Sequence, residues 1–329
     1  MKKLAAILFI TVLISVNALA QGGTPPTLRI VTEFPGLPSE LFYGNVKVKP
    51  LRLRPGTNTP ITIADYDFFI QQQYIDFLRR FPEPEGLQFY LNILNGCQPS
   101  DTECVKYTRG ALAANFFRSP EFKGKGLYVM YLYMVSIGQR PATVAELSNT
   151  QKVERPRYAE FMADVQSITS PDDRMGPDPA KLMALTNAWL QRPEIQAKYP
   201  NSLSNEQFVQ ALLNTAGVTL SNQAALVADL NAGRKTRAEV LRAIVESPEV
   251  NAKFYKQAFV TMEYFGFLRR DPEDCHLQEN WFGTPDGSGC GYIFHNNRYN
   301  QLQTILNPDL TENFIVRGFV ESPEYIGRF

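Results

Sequence analysis

Apolar residues from Asp65 onwards recur at the three- and four-residue spacing of an amphipathic helix that packs against a core. The predicted core-facing positions are Ile70, Tyr74, Phe77, Leu78, Leu87, Tyr90, Leu91, Leu94, Ala113, Phe116, Phe117, Leu182, Leu185, Trp189, Phe208, Leu212, Leu213, Leu226, Leu230, Val240, Ile244, Val245, Phe314, Ile315, Phe319 and Val320. We therefore predict that the body of the chain is mostly α-helical.

Residues 21–62 follow a different pattern, rich in proline and glycine, with extended alternation at 28–32 and 46–54. We predict a short N-terminal extended or β-hairpin arm here. Its cations are Lys47, Lys49, Arg52 and Arg54. A charged edge that resists aggregation explains them, and binding to an anionic surface polysaccharide is the alternative.

The tripeptide Ser-Pro-Glu, called the joint below, occurs three times, and a degenerate fourth copy begins at Arg192. A proline disfavours the α conformation in the residue before it, so the preceding helix ends there. Serine is a good N-cap, proline fits the first helical position, and glutamate favours the positive helix end. The joint therefore predicts the end of one helix and the start of the next. Its copies are 119–121, 192–194, 247–249 and 322–324.

A second motif, called the tyrosine motif, precedes each joint: residues 74–83 resemble residues 264–273. The tyrosine leads a proline by eight residues, and Tyr133 keeps this offset, while Leu212 matches it more weakly. We therefore predict a helical repeat or bundle of four helix-turn-helix units, with units one and two in residues 63–200 and units three and four in 201–329. Units differ in length by insertions, which stacked repeats place in loops.

The Arg80–Gly86 turn, the Phe68–Leu78 helix and the Phe116–Phe122 ending resemble the bacterial family of domains of unknown function numbered 4214. The match recurs over 265–273 and 319–325. The resemblance implies an exported helical module, distantly similar to phycobilisome linker domains, which are assembly parts. It implies no catalytic residues.

Residues 1–20 read as a signal peptide, with Lys2 and Lys3, an apolar run from Leu4 to Val16 and a small-residue cleavage site at Ala20. We expect a secreted or periplasmic mature chain with no transmembrane segment. Lys+Arg and Asp+Glu both number 33, which argues against a nucleic acid partner.

Four cysteines lie in the insertions of units one and four. In an exported protein, the pairs Cys97 with Cys104 and Cys275 with Cys290 predict two local disulfides. Both histidines of the chain lie beside the second pair, so a zinc site of Cys275, His276, Cys290 and His295 is the alternative. Motif spacing does not favour zinc, and we predict no cofactor.

Glu83, Glu85 and Glu121 are the carboxylates that a glycoside hydrolase would need, but helix starts account for them. Trp281, Phe282 and Tyr292 in the fourth insertion are candidate glycan-binding aromatics. We expect a non-catalytic scaffold or interaction module of the cell envelope or extracellular matrix. Its partner would be an envelope or extracellular protein or polysaccharide. A glycan-binding protein or a polysaccharide-acting hydrolase is the alternative.

Overall fold

A computed structural model gives backbone and side chains for residues 59, 61–138, 156–170, 176–272 and 295–329, and backbone alone for 28–31, 40–43, 46–48, 140–141, 152–153 and 291–294. The predicted signal peptide lies outside the described residues. The chain divides into two compact units, residues 1–32 with 38–50, and residues 33–37 with 51–329.

The first compact unit contains a three-stranded antiparallel sheet of order β1-β2-β3. Its strands are β1 Leu28–Val31, β2 Glu40–Tyr43 and β3 Val46–Val48. Leu28 pairs with Tyr43, and Tyr43 pairs with Val46, so the strands follow one another as hairpins.

The second compact unit is mostly helical, as the spacing predicts. Its α-helices are α1 Tyr66–Gln73, α2 Pro84–Leu94, α3 Thr102–Arg118, α4 Pro120–Phe122, α5 Tyr128–Leu132, α6 Tyr158–Ile168, α7 Pro179–Leu190, α8 Pro193–Lys198, α9 Asn205–Ala216, α10 Gln223–Asn231, α11 Arg237–Val245, α12 Pro248–Glu263, α13 Gly291–Gln303, α14 Pro308–Val320 and α15 Pro323–Gly327. Four π-helical segments continue them: π1 Tyr74–Leu78, π2 Lys123–Leu127, π3 Tyr133–Ile137 and π4 Tyr264–Leu268. A two-stranded ladder joins β4 Arg140–Pro141 to β5 Lys152–Val153.

The three Ser-Pro-Glu joints adopt the predicted capping geometry. The hydroxyls of Ser119, Ser247 and Ser322 accept hydrogen bonds from the backbone N–H three residues later, at 3.0–3.2 Å. In each joint the proline occupies the first helical turn, where no donor is lost. The joints therefore end one helix and cap the next, as the sequence predicts.

The helical part of each tyrosine motif ends at a residue with positive φ, called the left-handed residue below, and this residue has the same offset in every copy. The fifth residue after the motif's first position has φ between 53° and 69° in all four predicted units. These residues are Arg79, Gly138, Gly217 and Arg269. Arginine accepts the left-handed region at a cost that glycine avoids. The preceding motif is π-helical at the three tyrosine copies, where the sequence predicts an ordinary helix.

A cation located just after the next joint caps the helical end of each of these motifs. The residue four positions after the joint glutamate donates to the last carbonyls of its own unit's tyrosine motif, where the helix dipole is negative. Lys125 donates to the Leu78 carbonyl, Lys198 to that of Ile137, Lys253 to those of Ala216 and Gly217, and Arg328 to those of Gly266 and Phe267.

The motifs of the first and last predicted units pack against each other. The rings of Phe77 and Phe267 meet edge-on at 4.9 Å between centroids. A Cβ on Gly266 would lie 2.7 Å from the Phe77 ring, so glycine permits this approach. Buried Asp76 accepts hydrogen bonds from Arg269 at 3.1 Å and from Arg328 at 2.9 Å. These ion pairs link the first motif to the last unit.

One continuous hydrophobic cluster fills the helical unit, and nearly all predicted core positions that the structure describes belong to it or border it. Trp189, Leu212, Ile244 and Phe319 are fully buried. Phe314 is the exception, because it remains 38% exposed beneath the guanidinium of Arg298. The division into segments 63–200 and 201–329 stays a prediction.

Cys97 and Cys104 form the first predicted disulfide, which closes the turn between α2 and α3. Cys97 is buried, and its sulfur lies 3.3 Å from the hydroxyl of Thr108. Cys275 and Cys290 lie outside the described residues, so the second disulfide stays a prediction. No helix in the described part of the chain is both long and apolar enough to span a membrane.

Replacing both Cys97 and Cys104 by serine should lower the free energy of unfolding by about 2–3 kcal/mol, because a cross-link over a short loop restricts the unfolded chain. Urea unfolding of the double variant measures this effect, and non-reducing peptide mapping identifies both cysteine pairs. A free Cys97 thiol in the native chain would contradict the structure.

Lys125→Met should lower the free energy of unfolding by about 3–5 kcal/mol, because it leaves the buried Glu121 carboxylate with one partner fewer. Lys198→Met is the matched control, since Lys198 is exposed and donates to an equivalent carbonyl. We expect the control to cost less than about 1 kcal/mol. Equal losses in the two variants would show that burial of the pair is unimportant.

Candidate functional site

Cavities on the described helical surface border three of the joints. The larger is a groove of about 600 Å³ between the joints of units one and three. Pro120, Tyr128, Tyr131 and Pro248 form much of its wall. Tyr131 donates to Asn251 at 3.0 Å, while Tyr128 bonds to Thr186. The rims are therefore fixed to neighbouring helices.

Charged side chains line the groove, among them Lys123 and a pair at the end of α11. Arg242 and Glu246 both line it and pair with each other at 2.9 Å. Burial raises the pKa of Tyr128 to about 12. The Tyr128 hydroxyl is therefore a neutral hydrogen-bonding group at physiological pH.

The smaller cavity, of about 280 Å³, belongs to unit two. Its lining residues are Tyr133, Ile137, Gly138, Pro156, Glu160, Arg192 and Glu194. At the equivalent positions of units one and four, an arginine lies between the tyrosine and the joint glutamate.

In unit one, an arginine connects the tyrosine motif to the joint. Arg80 lies over the Tyr74 ring, 5.0 Å from its centroid, and donates to both oxygens of Glu121 at 2.9–3.3 Å. Phe116, three residues before the joint serine, meets Tyr74 edge-on at 4.9 Å. The guanidinium is therefore held between an aromatic face and a carboxylate.

Unit four repeats this arrangement. Arg270 lies over the Tyr264 ring at 5.3 Å and donates to the two oxygens of Glu324 at 2.6 and 2.9 Å. Phe319 takes the place of Phe116 and meets Tyr264 at 5.1 Å. The same contact therefore occurs in the first and the last predicted units. It joins the tyrosine, the arginine six residues later and the joint glutamate.

Unit two keeps the tyrosine and the glutamate. Trp189, three residues before Arg192, meets Tyr133 edge-on at 4.6 Å. The sixth residue after Tyr133 in the sequence is Gln139 rather than arginine. Glu194 is exposed and makes no ion pair or hydrogen bond within the described part of the chain.

Arg192 replaces the joint serine in unit two, and its charge is directed elsewhere. Its guanidinium stacks on Trp189 at 4.0 Å and pairs with Asp164, which also accepts from the Tyr133 hydroxyl at 2.6 Å. Burial and the nearby Asp164 carboxylate raise the pKa of Tyr133, so its hydroxyl remains protonated.

The carboxylates considered for hydrolysis are placed as structural groups. Glu83 and Glu121 both pair with Arg80, at 2.5 and 2.9 Å, and Glu121 also accepts from Lys125 at 2.9 Å. Glu85 is exposed in the first turn of α2. None of the three lines either cavity.

Glu263 is a buried acid that the sequence analysis did not identify. It is 0% exposed, and its two carboxyl oxygens have no hydrogen-bond partner within the described part of the chain. Burial, and then the nearby Glu312 carboxylate, raise its pKa well above the ordinary value, while Arg118 acts in the opposite direction. Glu312 is better satisfied, because Arg118 and Tyr255 both donate to it at 2.7 Å.

His295 is buried, and its Nδ1 lies 3.0 Å from the Tyr264 hydroxyl. The other members of the zinc alternative, Cys275, His276 and Cys290, lie outside the described residues. So do Trp281 and Phe282 and the side chains of Tyr292, Lys47, Lys49, Arg52 and Arg54. Within the residues that are described, no three His, Cys, Asp or Glu side chains group as metal ligands.

The cation that follows each joint is also absent from the residues predicted from the sequence. Lys125, Lys198, Lys253 and Arg328 all stand four residues after the joint glutamate. That periodicity is visible in the sequence once the joints are aligned. Arginines at a helix end, such as those at 79–80 and 269–270, ordinarily bind the last carbonyls of that helix. In the structure Arg80 and Arg270 mainly bind the joint glutamates, and the later cations make the helix-end contacts.

Comparison of the chain with protein-family models, with curated proteins and with solved structures finds no match.

Glu263→Gln should stabilise the protein above neutral pH. Because the folded state raises the pKa of Glu263, it holds the proton more tightly than the unfolded state does. Stability is then greatest below the ordinary carboxyl pKa of 4.5 and falls as the pH rises towards the raised value. This loss can reach about 1.4 kcal/mol per pH unit, and the glutamine variant should lack it.

Thermal unfolding from pH 4 to pH 9 measures the difference between wild type and Glu263→Gln. Glu312→Gln is the control, because it weakens the Arg118 ion pair and should lower stability across that range. A Glu263→Gln variant that is less stable than wild type at pH 8, with the same pH slope, would contradict a neutral buried acid.

Proposed function

We propose that the chain is an exported, non-catalytic scaffold or interaction module of the cell envelope or extracellular matrix, built as four helix-turn-helix units. The recurrent contact between tyrosine motif and joint supports the repeat. At the same offsets, each unit has a left-handed residue and a helix-end cation, despite insertions of different lengths. Such independence of loop length is typical of stacked helical units.

The observation that carries the proposal is how the charged side chains of the joints are used. Glu121 and Glu324 are bound by arginines that hold helices together, and Asp76 joins the first motif to the last. A glycosidase needs two carboxyl groups that flank a substrate cleft, one of them with a raised pKa. Glu263 has the raised pKa but is fully buried and lines neither cavity.

Exposed apolar side chains support an interaction role. Phe89 is 60% exposed on α2, and Tyr107 is 51% exposed on α3, the two helices that the Cys97–Cys104 disulfide joins. Large apolar side chains at the surface are typical of contact sites when they cluster. The disulfide also supports export, since it needs an oxidising compartment.

The proposed partner is an envelope or extracellular protein or polysaccharide. The resemblance to assembly-type linker domains favours a protein. Glycan binding is the second candidate, and its aromatic residues, Trp281, Phe282 and Tyr292, are to be tested with the loop that contains them.

Incubation of the mature chain, from residue 21, with separated envelope protein and polysaccharide fractions tests the proposal. We expect a complex of defined stoichiometry in sedimentation velocity, and polysaccharide that keeps its length in a reducing-end assay. A number of reducing ends that rises with time would indicate a hydrolase instead. Loss of this activity in Glu83→Gln or Glu121→Gln, with the variant still folded, would establish it. Pelleting with polysaccharide alone, at unchanged length, would favour the glycan-binding alternative.

A further inference from the structure

We propose that the unit-two cavity is a receptor for an arginine side chain displayed by another polypeptide. This inference rests on the proposed interaction role and specifies its chemistry. In units one and four the chain supplies a guanidinium between a tyrosine ring and the joint glutamate. Unit two has the ring of Tyr133 and the carboxylate of Glu194, with an open cavity of about 280 Å³ beside them.

The internal arginines define what the cavity recognises. At Arg80 and Arg270 the guanidinium carbon lies 5.0–5.3 Å from the tyrosine centroid, and two nitrogens reach the carboxylate. A planar guanidinium makes both contacts at once, whereas an ammonium acts as a point charge. The receptor should therefore prefer arginine to lysine.

Charges around the cavity favour a cationic guest. Glu160 and Glu194 line it as exposed acids. Two nearby cations of the described part of the chain are engaged, because Arg192 pairs with Asp164 and Lys198 donates to the Ile137 carbonyl at 2.8 Å. Glu160 accepts from the backbone N–H of Arg157 at 3.3 Å, which leaves Glu194 as the acid with its whole hydrogen-bonding capacity available.

Unit three lacks the aromatic ring of the tyrosine motif. Its joint glutamate, Glu249, stands at the same place as Glu194, but the motif there begins with Leu212. The leucine fills its core position without a ring face, so the cation–π part of the contact is missing. Unit three should therefore not bind arginine, although it keeps the joint proline and glutamate.

Titration of the mature chain with N-acetyl-arginine amide, N-acetyl-lysine amide and N-acetyl-citrulline amide tests the proposal directly. Citrulline has almost the shape of arginine but no charge. The chain has two tryptophans, so Trp281→Phe leaves Trp189, whose indole N–H donates to Ser136 at 2.8 Å. The single indole N–H signal in a nitrogen-15 NMR spectrum then reports events at the adjacent Tyr133.

We expect saturable shifts with the arginine probe, weaker ones with lysine and none with citrulline. Glu194→Gln should weaken arginine binding on the order of tenfold, since it removes the charge-assisted pair. Glu249→Gln is the matched control and should leave the binding unchanged. Thermal unfolding of both variants verifies that each remains folded.

Gln139→Arg should reproduce the internal contact of units one and four. We expect this variant to lose arginine binding, because its own guanidinium competes for the ring and the carboxylate. Equal shifts with arginine and citrulline, or full binding by Glu194→Gln, would overturn the proposal. Binding that appears only after Arg140→Gln would also overturn it, because the chain would then supply its own cation.

The envelope experiment separates this inference from the proposed function. If Glu194→Gln abolishes the protein complex and the arginine probe competes with it, both hold. If the complex forms equally well with the variant, the scaffold role stands and the receptor is wrong. If no complex forms and the polysaccharide is shortened, the proposed function itself fails.

Discussion

The end of each tyrosine motif is the constraint on which the helical unit depends. A helix that stops inside a protein leaves carbonyl groups without partners, and burying them unpaired is costly. Here a left-handed residue turns the chain away, and a cation that follows the next joint binds the carbonyls at the end of the helix. Because that cation stands one helical turn after the joint glutamate, the position of the joint fixes the position of the cap.

This coupling explains how the units tolerate insertions. The Tyr74 motif and the 119–121 joint are separated by two helices and a disulfide, yet Arg80 still reaches Glu121 and Lys125 still reaches Leu78. Whatever lies between motif and joint can change length as long as both ends return to the same contact. Loop closure becomes only slowly more costly with loop length, so a fixed contact of this kind can retain long insertions.

The repeated pattern predicts the helices and the serine caps well, since both depend on local preferences. It does not predict the partners of Arg80 or Arg270, because the ion pairs join residues about 40–55 positions apart and the local dipole argument applies equally to neighbouring arginines. Glu263 was missed for a related reason. A glutamate at this position of α12 is compatible with an exposed helix face, and only the packing of neighbouring helices such as α5 and α13 against α12 shows that it is enclosed.

Phe314 illustrates the same limit from the apolar side. Its spacing assigns it to the core stripe of α14, but the helix buries Ile315 and Phe319 and presents Phe314 at the edge, beneath Arg298. Helical periodicity defines a face to within about one position, so the residues at its margin are decided by the neighbouring helix.

Differences among the units say more about function than their similarities do. A contact that is complete within a unit, such as Arg270 with Tyr264 and Glu324, has no capacity left for a partner. A unit that keeps the tyrosine ring and the glutamate but lacks the arginine can still bind a guanidinium group from elsewhere. Unit two is such a unit, with Tyr133 and Glu194 beside an open cavity. The preference of this cavity for arginine follows from the contact that units one and four complete with their own arginines.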